Sequence, residues 1–332
     1  MRLVVAARAA ASLLLLVGGP VVAATQETIK LATLAPEGST WMQVLEEYDA
    51  ALRADTGGRL QLVPFSGGVA GAEPDVLRKI RFGQLDGAGL TGLGLGIIAP
   101  VERVLEGPYV FHGYAQVDAI HAAAQATVEA ALAEAGYTVL GWAEVGFVYL
   151  FTRQPVSSIA ELRRLRVWAW AGDPVADATF AAWGVSPVRL PLADVFTSLQ
   201  TGGLDGIYAA PLGLIALQWH THMRYMLDLP LGIASGALVL TNRRLDGLAP
   251  ELREPLLHNG RVYMDRLRQR TREDGEAAIR TLRNRGIEIL TVGDGERRQF
   301  ERAAAVARRS MAPLLYPATL LDLVERAAFA AP

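Results

Sequence analysis

One short unit occurs twice in the chain, and it constrains the fold more than any other feature. The first copy, residues 76–92, is VLRKIRFGQLDGAGLTG, and the second, residues 195–211, is VFTSLQTGGLDGIYAAP. Each starts with apolar residues at helical spacing, reaches a glycine that can end a helix, and turns through Leu-Asp-Gly into an apolar strand. Two such units far apart in one chain predict two similar α/β lobes. Chance similarity between two helix–strand junctions is the alternative.

The segments before each copy alternate between strand and helix patterns with short connections. Such alternation favours a parallel sheet covered by helices. In the first half, strands are predicted at 28–34 and 59–65, and helices at 41–55 and 74–83. In the second half, strands are predicted at 165–169 and 187–190, with a helix at 174–183 between them. Outside the two units, the pattern predicts a helix at 116–135 and strands at 139–142, 147–152 and 236–242.

A long helix is predicted from Pro250 to Asn284, where apolar residues keep helical spacing. Proline suits the first position of a helix, and Gly286 supplies a stop. A helix of this length would extend about 50 Å, which is more than one small lobe can cover. We therefore expect it to cross both lobes. Two helices broken near Gly275 are the alternative.

The first residues have the pattern of a secretory signal. Arg2 and Arg8 precede a short apolar run, and small residues at 22–24 predict cleavage after Ala24. An uncleaved membrane anchor is the alternative, although the run is shorter than a membrane span requires. The chain contains no cysteine, so it has neither disulfides nor thiolate metal sites. The sequence therefore predicts an exported, periplasmic protein.

Composition and motifs give little support to catalysis or to nucleic-acid binding. The formal net charge is −2 and the charges are interspersed, whereas nucleic acid calls for a basic face. Residues 87–92, GAGLTG, match a dinucleotide fingerprint only formally, because a predicted helix rather than a strand precedes them. We interpret them as a strand and loop in which glycine permits close backbone approach. Neither a cofactor nor a metal site is predicted, and an enzyme remains the alternative class.

Aromatic residues point to a ligand site instead. Trp168 and Trp170 are two apart on one predicted strand, so both face the same side. In open α/β sheets, ligands bind beyond the carboxyl ends of the strands. Residues at strand ends and in the following loops complete the predicted set of ligand-binding residues: Glu37, Ser39, Trp41, Thr91, Phe147, Trp168, Trp170, Asp173 and Tyr208.

Taken in order, these segments resemble the periplasmic solute-binding subunits of tripartite ATP-independent (TRAP) transporters. The resemblance is carried by IKLATLAPEGS (29–39), TGGRLQLVPFSGG (56–68), LRKIRFGQLDGA (77–88), LRRLRVWAWAGDP (162–174), VSPVRLPLADVFTSLQTGGLDG (185–206) and LVLTNRRLDGLAPELRE (238–254). It implies a two-lobed periplasmic-binding-protein fold, with a long helix spanning both lobes and a ligand cleft between them. It also implies TRAP membrane permease subunits as partners and allows an additional periplasmic helper protein.

The resemblance and the spacing together divide the chain. We expect lobe 1 to contain residues 25–150 and about 231–249, and lobe 2 to contain residues 151–230 and about 287–332. Residues 250–286 form the connecting helix.

The chain departs from the family's pattern at two places in the expected cleft. The family carries an arginine, which pairs with a ligand carboxylate, two residues after the basic residue corresponding to Arg166, and here Trp168 stands there. After the second Leu-Asp-Gly, the family has a run of the Gln-Glu-Asn type, and here Ile207 and Tyr208 follow. The usual C4-dicarboxylate ligand is therefore the alternative, and a largely apolar ligand or an aromatic or aliphatic acid is expected. An acid end would need another basic residue, such as Arg189 or Arg224.

Overall fold

The computed structural model of the protein describes residues 26–111 and 113–331. The predicted signal segment, residues 1–24, lies outside the described residues. The strands are β1 (Glu27–Thr33), β2 (Leu60–Phe65), β3 (Gly87–Thr91), β4 (Tyr137–Thr152), β5 (Trp168–Trp170), β6 (Val188–Leu190), β7 (Gly206–Ala209), β8 (Tyr225–Leu227), β9 (Gly232–Thr241) and β10 (Glu288–Leu290).

Twelve α-helices are found in that part of the chain: α1 (Thr40–Asp55), α2 (Glu73–Arg81), α3 (Gly92–Ile98), α4 (Tyr114–Glu134), α5 (Ile159–Leu162), α6 (Pro174–Trp183), α7 (Leu192–Gln200), α8 (Pro211–Ala216), α9 (Asn242–Gly247), α10 (Pro250–Asn284), α11 (Asp294–Leu315) and α12 (Ala318–Ala330). Two 3₁₀ turns, Pro100–Glu106 and Trp219–His222, complete the regular structure there.

The repeated unit takes the same place in both lobes. In lobe 1, β1 pairs in parallel with β2 on one side and with β3 on the other. In lobe 2, β5 pairs in parallel with β6, and a parallel bridge from Val167 to Gly206 joins it to β7. Both lobes therefore have the strand order second–first–third, and α2–β3 and α7–β7 are equivalent junctions. The prediction of two similar α/β lobes is confirmed.

Strand β4 links the two sheets. Its first part, from Tyr137 to Val148, pairs with β9, and its last four residues pair with β7. We predicted two strands here, but the chain forms one, because residues 143–146 make an irregularity in the register rather than a break. A second register shift lies beside Leu140. Gly146 has a φ of 115°, a conformation that glycine adopts without strain.

Helix α10 is a single helix of 35 residues, so the alternative of two helices broken near Gly275 is wrong. Its first half packs in the core of lobe 1 through Leu256 and Met264, against residues of β1 and α1. Leu282, in its last turn, is buried in the core of lobe 2. The prediction that this helix spans both lobes is confirmed.

The helix crosses β4 where two glycines face each other. A Cβ atom on Gly260 would lie 2.7 Å from the carbonyl oxygen of Leu140, and a Cβ on Gly141 would lie 2.6 Å from Cβ of Met264. Real side chains cannot approach so closely. The missing side chains therefore let the helix lie directly on the strand.

The C-terminal segment does not stay in one lobe, contrary to our assignment of residues 287–332 to lobe 2. Strand β10 pairs with β8, and Phe300 in the first part of α11 is buried beside Trp183, so these segments belong to lobe 2. Met311, near the end of α11, is already buried in the core of lobe 1. Helix α12, which follows Pro317, buries Leu321 and Val324 in the core that α4 contributes to lobe 1. Its apolar stripe packs in one core with the buried face of α4, which carries Val117, Ile120, Ala124, Val128 and Leu132. This partner places α12 in lobe 1.

None of the helices in the two described ranges has an apolar stretch long enough to cross a membrane.

A candidate ligand-binding cavity between the lobes

A cavity of about 460 Å³ lies between the two lobes. Trp41 and Leu93 line it from lobe 1, and Trp170 and Tyr208 line it from lobe 2. Val145 and neighbouring residues of β4 and β9, the strands that join the lobes, also contribute to the wall. The position is the one expected for a ligand cleft, beyond the carboxyl ends of the parallel strands.

Seven of the nine predicted ligand-binding residues lie on this wall: Ser39, Trp41, Thr91, Trp168, Trp170, Asp173 and Tyr208. Glu37 and Phe147 are not among the lining residues. The Glu37 carboxylate accepts a hydrogen bond from Ser66 Oγ at 2.6 Å in an exposed loop. Ligand contact by any of the seven stays a prediction.

Phe147 is displaced by the irregularity in β4. Without it, Val145 and Phe147 would face the same side. The register shift between Glu144 and Gly146 interrupts this alternation, so Val148 joins Val145 on the wall. The Phe147 ring packs against Tyr114 instead, with ring centroids 4.8 Å apart.

A cluster of aromatic rings forms the wall of lobe 2. Trp168 is only 2% exposed and stacks on Tyr208 with centroids 5.0 Å apart. Its Nε1 donates to the carbonyl oxygen of Leu190 at 3.0 Å, and Trp219 packs edge-on at 5.4 Å. The Tyr208 hydroxyl accepts a hydrogen bond from the backbone N–H of Trp170 at 3.1 Å. Trp168 therefore supports the wall, while the half-buried Trp170 presents more of its ring to the cavity.

On the side of lobe 1, the ring of Trp41 lies over two glycines. A Cβ atom on Gly89 of β3 would lie 3.1 Å from this ring, and one on Gly236 of β9 would lie 3.3 Å from it. The GAGLTG stretch therefore serves close packing, as its glycines led us to expect. Trp41 Nε1 donates to the carbonyl oxygen of Glu144 at 3.4 Å.

The cavity wall contains three charged residues, Arg103, Glu106 and Asp173. Asp173 caps α6 by accepting a hydrogen bond from the backbone N–H of Val175 at 3.0 Å. The same oxygen, Oδ1, accepts a hydrogen bond from Arg103 Nη2 at 2.7 Å. Arg103 Nη1 forms an ion pair with Glu106, and the Arg103 side chain is only 3% exposed. Arg103 therefore joins the two lobes and is already paired on both sides.

A second layer of polar groups lies behind these residues. Ser235 Oγ lies 2.6 Å from Glu102 Oε1 and 2.8 Å from Glu106 Oε1, and the backbone N–H of Ser235 donates to Glu106 at 2.6 Å. Burial and, to a smaller extent, the neighbouring Glu106 carboxylate raise the pKa of Glu102 to about 8. Burial also raises the pKa of Glu106, although Arg103 opposes that effect. A Cβ on Gly92 would lie 2.3 Å from the Glu106 carboxyl group, so this position needs glycine.

Arg103 and Glu106 are functional candidates that sequence reasoning missed. The signal was present, because residues 93–111 are otherwise nearly apolar and an arginine lies three residues before a glutamate in a 3₁₀ turn. The two basic residues that we considered do not line the cavity. Arg189 pairs with Asp177 at 2.7 Å on the surface, and Arg224 is exposed. Trp219 was also missed, since nothing before it predicted the 3₁₀ turn that carries it.

Thr91 presents a hydroxyl group to the cavity. Its Oγ1 donates to Glu73 Oε2 at 2.8 Å, and its backbone N–H donates to Glu73 Oε1 at 2.6 Å. Glu73 is buried, and burial raises its pKa to about 7. Across residues 26–111 and 113–331, no group of three or more His, Asp or Glu side chains is placed to hold a metal ion.

The comparisons with known proteins agree with this geometry. Residues 31–313 match the model of DctP, bacterial extracellular solute-binding protein family 7. The 2,3-diketo-L-gulonate-binding periplasmic protein YiaO of Escherichia coli K12 is 25% identical over 80% of this chain and 81% of its own length.

Two solved structures share the fold. DctP7, a Bordetella pertussis extracytoplasmic solute receptor that binds pyroglutamic acid, superposes with a TM-score of 0.84 at 17% identity, covering 91% of this chain and 99% of its own. A TRAP periplasmic solute-binding protein of Ralstonia eutropha with bound (S)-2-acetolactate also gives 0.84, at 19% identity, covering 91% and 98%.

The family and the fold are those of binding proteins and not of enzymes. Proteins of this kind are periplasmic; they bind small-molecule ligands and deliver them to the membrane permease subunits of TRAP transporters. The match over most of its length shows that this chain belongs to bacterial extracellular solute-binding protein family 7, the DctP family of TRAP solute-binding proteins.

Proposed function

We propose that this protein binds a small, largely apolar solute between its two lobes, at a site where Trp168 replaces the carboxylate-binding arginine of the family. The observation that carries the proposal is the composition of the cavity wall. It contains aromatic rings from both lobes, together with aliphatic groups such as Leu93 and Ile233. Its one guanidinium group, that of Arg103, already pairs with Glu106 and Asp173.

The charges of the wall argue against a dicarboxylate. A carboxylate that leaves water needs a matched cation, usually the two-pronged guanidinium of arginine. Each terminal nitrogen of Arg103 already lies beside a carboxylate oxygen, and the side chain is almost fully buried. A dicarboxylate would therefore have to displace Asp173 or Glu106 from Arg103.

The apolar wall supplies the free energy of binding in this proposal. Burying about 300 Å² of apolar ligand surface contributes roughly 7 kcal/mol before the entropy of association is subtracted. Lost translational and conformational freedom offsets a substantial part of this gain, so we expect a dissociation constant in the micromolar range.

The proposal also covers the export of the protein, the movement of its two lobes and an additional periplasmic partner. The signal segment is removed after Ala24, and N-terminal sequencing of the periplasmic protein tests this step. We further propose that residues 25–150 and about 231–249 move as lobe 1, together with α12, against lobe 2. An additional periplasmic helper protein remains part of the proposal, and chemical cross-linking in a periplasmic extract tests it.

A titration of intrinsic tryptophan fluorescence tests the ligand class. Succinate, an aromatic acid, a medium-chain fatty acid and the corresponding neutral alcohols are compared. We expect the apolar compounds to change the fluorescence and to raise the melting temperature, and succinate to do neither. Tight succinate binding would contradict the proposal and favour a C4-dicarboxylate protein.

Two variants, with one control, test whether the aromatic wall of the cavity binds the apolar compounds. Trp170→Ala removes a half-buried ring from the wall and is expected to weaken binding of the apolar compounds. Trp142→Ala is the matched control, because Trp142 is also half-buried but lies outside the wall. Trp168→Ala is expected to weaken binding as well, but it also leaves a void in the core that costs about 3–5 kcal/mol of stability.

A further inference from the structure

We propose that the solute carries a protonated amine beside its apolar body, and that Asp173 and the aromatic rings around it bind this group. This inference rests on the proposed function and names the polar end of the same ligand. The position in question is the region of the cavity wall where Asp173, Trp170 and Tyr208 come together.

The first support is the balance of charge. The cavity wall carries two carboxylates, Glu106 and Asp173, and one guanidinium, Arg103. Glu102, which is buried behind them, stays protonated to about pH 8 because burial raises its pKa, so it adds no charge at neutral pH. Within the described residues, the wall therefore has an excess of one negative charge and no unpaired cation. A cation entering the cavity reduces this excess, and an anion increases it.

The second support is an unused acceptor. Oδ1 of Asp173 accepts both hydrogen bonds that this carboxylate receives, from Arg103 and from Val175. Its other oxygen, Oδ2, accepts none from the part of the chain that the structure describes. The Asp173 side chain is 11% exposed and lies on the cavity wall. A carboxylate oxygen without a donor at such a wall favours a partner that supplies one, and an ammonium group has three.

The third support is the shape of the aromatic wall. Trp168, Trp170, Tyr208 and Trp219 lie with ring centroids 5.0–6.0 Å apart in successive contacts, and all four line the cavity. The face of an aromatic ring attracts a cation, and the attraction is strongest where water is excluded. An ammonium group beside Asp173 would combine this attraction with a charge-assisted hydrogen bond.

A carboxylate in the same place would meet the opposite conditions. It would lose its hydration beside Asp173 and Glu106, and like charges at short distance repel. Two donors of the wall are already committed, since the Trp170 N–H donates to Tyr208 and the Thr91 hydroxyl donates to Glu73.

The test uses matched trios that share an apolar body and differ only in the polar end. One trio is phenethylamine, phenethyl alcohol and hydrocinnamate, and the other is hexylamine, hexanol and heptanoate. Calorimetric titration and thermal melting of the wild-type protein at neutral pH measure binding, and succinate is included. We expect the amine of at least one trio to bind at least about tenfold more tightly than its alcohol and its acid.

Asp173→Asn tests the role of the carboxylate. The amide oxygen still accepts the hydrogen bond from Val175, so the cap of α6 is kept while the charge is removed. Amine binding is expected to fall by about tenfold or more, and alcohol binding to stay within about twofold. Asp177→Asn is the matched control, because Asp177 lies on the same helix and pairs with Arg189 outside the cavity. It should leave all three affinities unchanged.

Each other outcome overturns a defined part of the argument. If the acids or alcohols bind as tightly as their amines, the proposal of a protonated amine is wrong, whereas the proposal of an apolar solute stands. The same follows if Asp173→Asn leaves amine binding intact. Succinate as the tightest compound overturns the proposed function itself, and a wild-type protein that binds no trio contradicts both proposals.

Discussion

Asp86 and Asp205 make the same hydrogen bonds in the two lobes. The carboxylate of Asp86 accepts a hydrogen bond from the backbone N–H of Lys30 at 2.8 Å, and its own N–H donates to the Lys30 carbonyl at 2.9 Å. Asp205 repeats both contacts with Arg166, at 3.0 and 2.9 Å. The Leu-Asp-Gly unit therefore ties each turn to the first strand of its lobe, within β1 at Lys30 and just before β5 at Arg166, which explains why the chain uses it twice.

Removing either carboxylate should destabilise the protein. We expect Asp86→Ala and Asp205→Ala to lower the free energy of unfolding by about 1.5–3 kcal/mol each, because a backbone N–H loses a charged acceptor. The corresponding Asn variants keep an acceptor and should lose less. Urea unfolding measures the effect, and Asp246→Ala, at an exposed position, is the control. Equal losses for the Ala and Asn variants would contradict the hydrogen-bond explanation.

The raised pKa of Glu102 predicts a dependence of stability on pH. In the unfolded chain, a glutamate loses its proton near its ordinary pKa of 4.5, whereas burial keeps Glu102 protonated to about pH 8. Between these values the folded state binds more protons, so this residue makes the protein less stable as pH rises.

Glu102→Gln keeps the oxygen that contacts Ser235 but cannot ionise. The stability of this variant relative to the wild type should therefore increase from about pH 4.5 to about pH 8 and then level off. Thermal unfolding across this range measures the difference, and Glu134→Gln, at an exposed position, should show no such trend. A difference that does not change with pH would contradict the prediction.

Two glycines of α10 should respond in opposite ways to alanine. At Gly260 the new Cβ would lie 2.7 Å from the Leu140 carbonyl, so Gly260→Ala should push the helix away from β4 and destabilise the protein. At Gly275 the group nearest to the new Cβ is the Tyr114 hydroxyl at 3.8 Å, and Gly275→Ala should stabilise the protein by up to about 1 kcal/mol through helix propensity. Chemical unfolding of both variants measures this contrast, and the same sign for both would refute it.

The irregularity in β4 depends on backbone conformation rather than on space. A Cβ on Gly146 would meet no atom closer than 3.8 Å, but its φ of 115° is one that other residues rarely adopt. Gly146→Ala should therefore cost about 1–3 kcal/mol of stability. Gly247→Ala, where the glycine has open space and an ordinary φ, should change little. Thermal melting distinguishes the two, and an unchanged melting temperature for Gly146→Ala would show that the strand can relax.

Local sequence patterns predicted the bounds of helices and strands better than they predicted which of these elements pack together. The bounds of α6 and α10 agree with the prediction because each starts at a proline and carries an apolar stripe. Strand β4 was divided wrongly, because a glycine within a strand marks an irregularity as readily as an end. The position of α12 depends on a complementary face on α4, which no local pattern reveals.

The same limit applies to the cavity. Trp168, Trp170 and Tyr208 could be grouped because the repeat and the strand alternation place them together. Arg103 and Asp173 are 70 residues apart and belong to different lobes, so only the folded arrangement brings them together. A long-range ion pair of this kind leaves a charged residue in an apolar segment as its only trace in the sequence.

The pairing of β3 with β9 also bears on how the chain reaches its native state. Strand β3 pairs with β9 along its whole length, yet β9 follows the entire repeat of lobe 2. A chain synthesised from its N-terminus therefore leaves an edge of β3 open until most of the polypeptide exists. Contacts so distant in sequence slow folding, and an open strand edge invites pairing with another molecule. Lobe 1, although it begins first, is completed late.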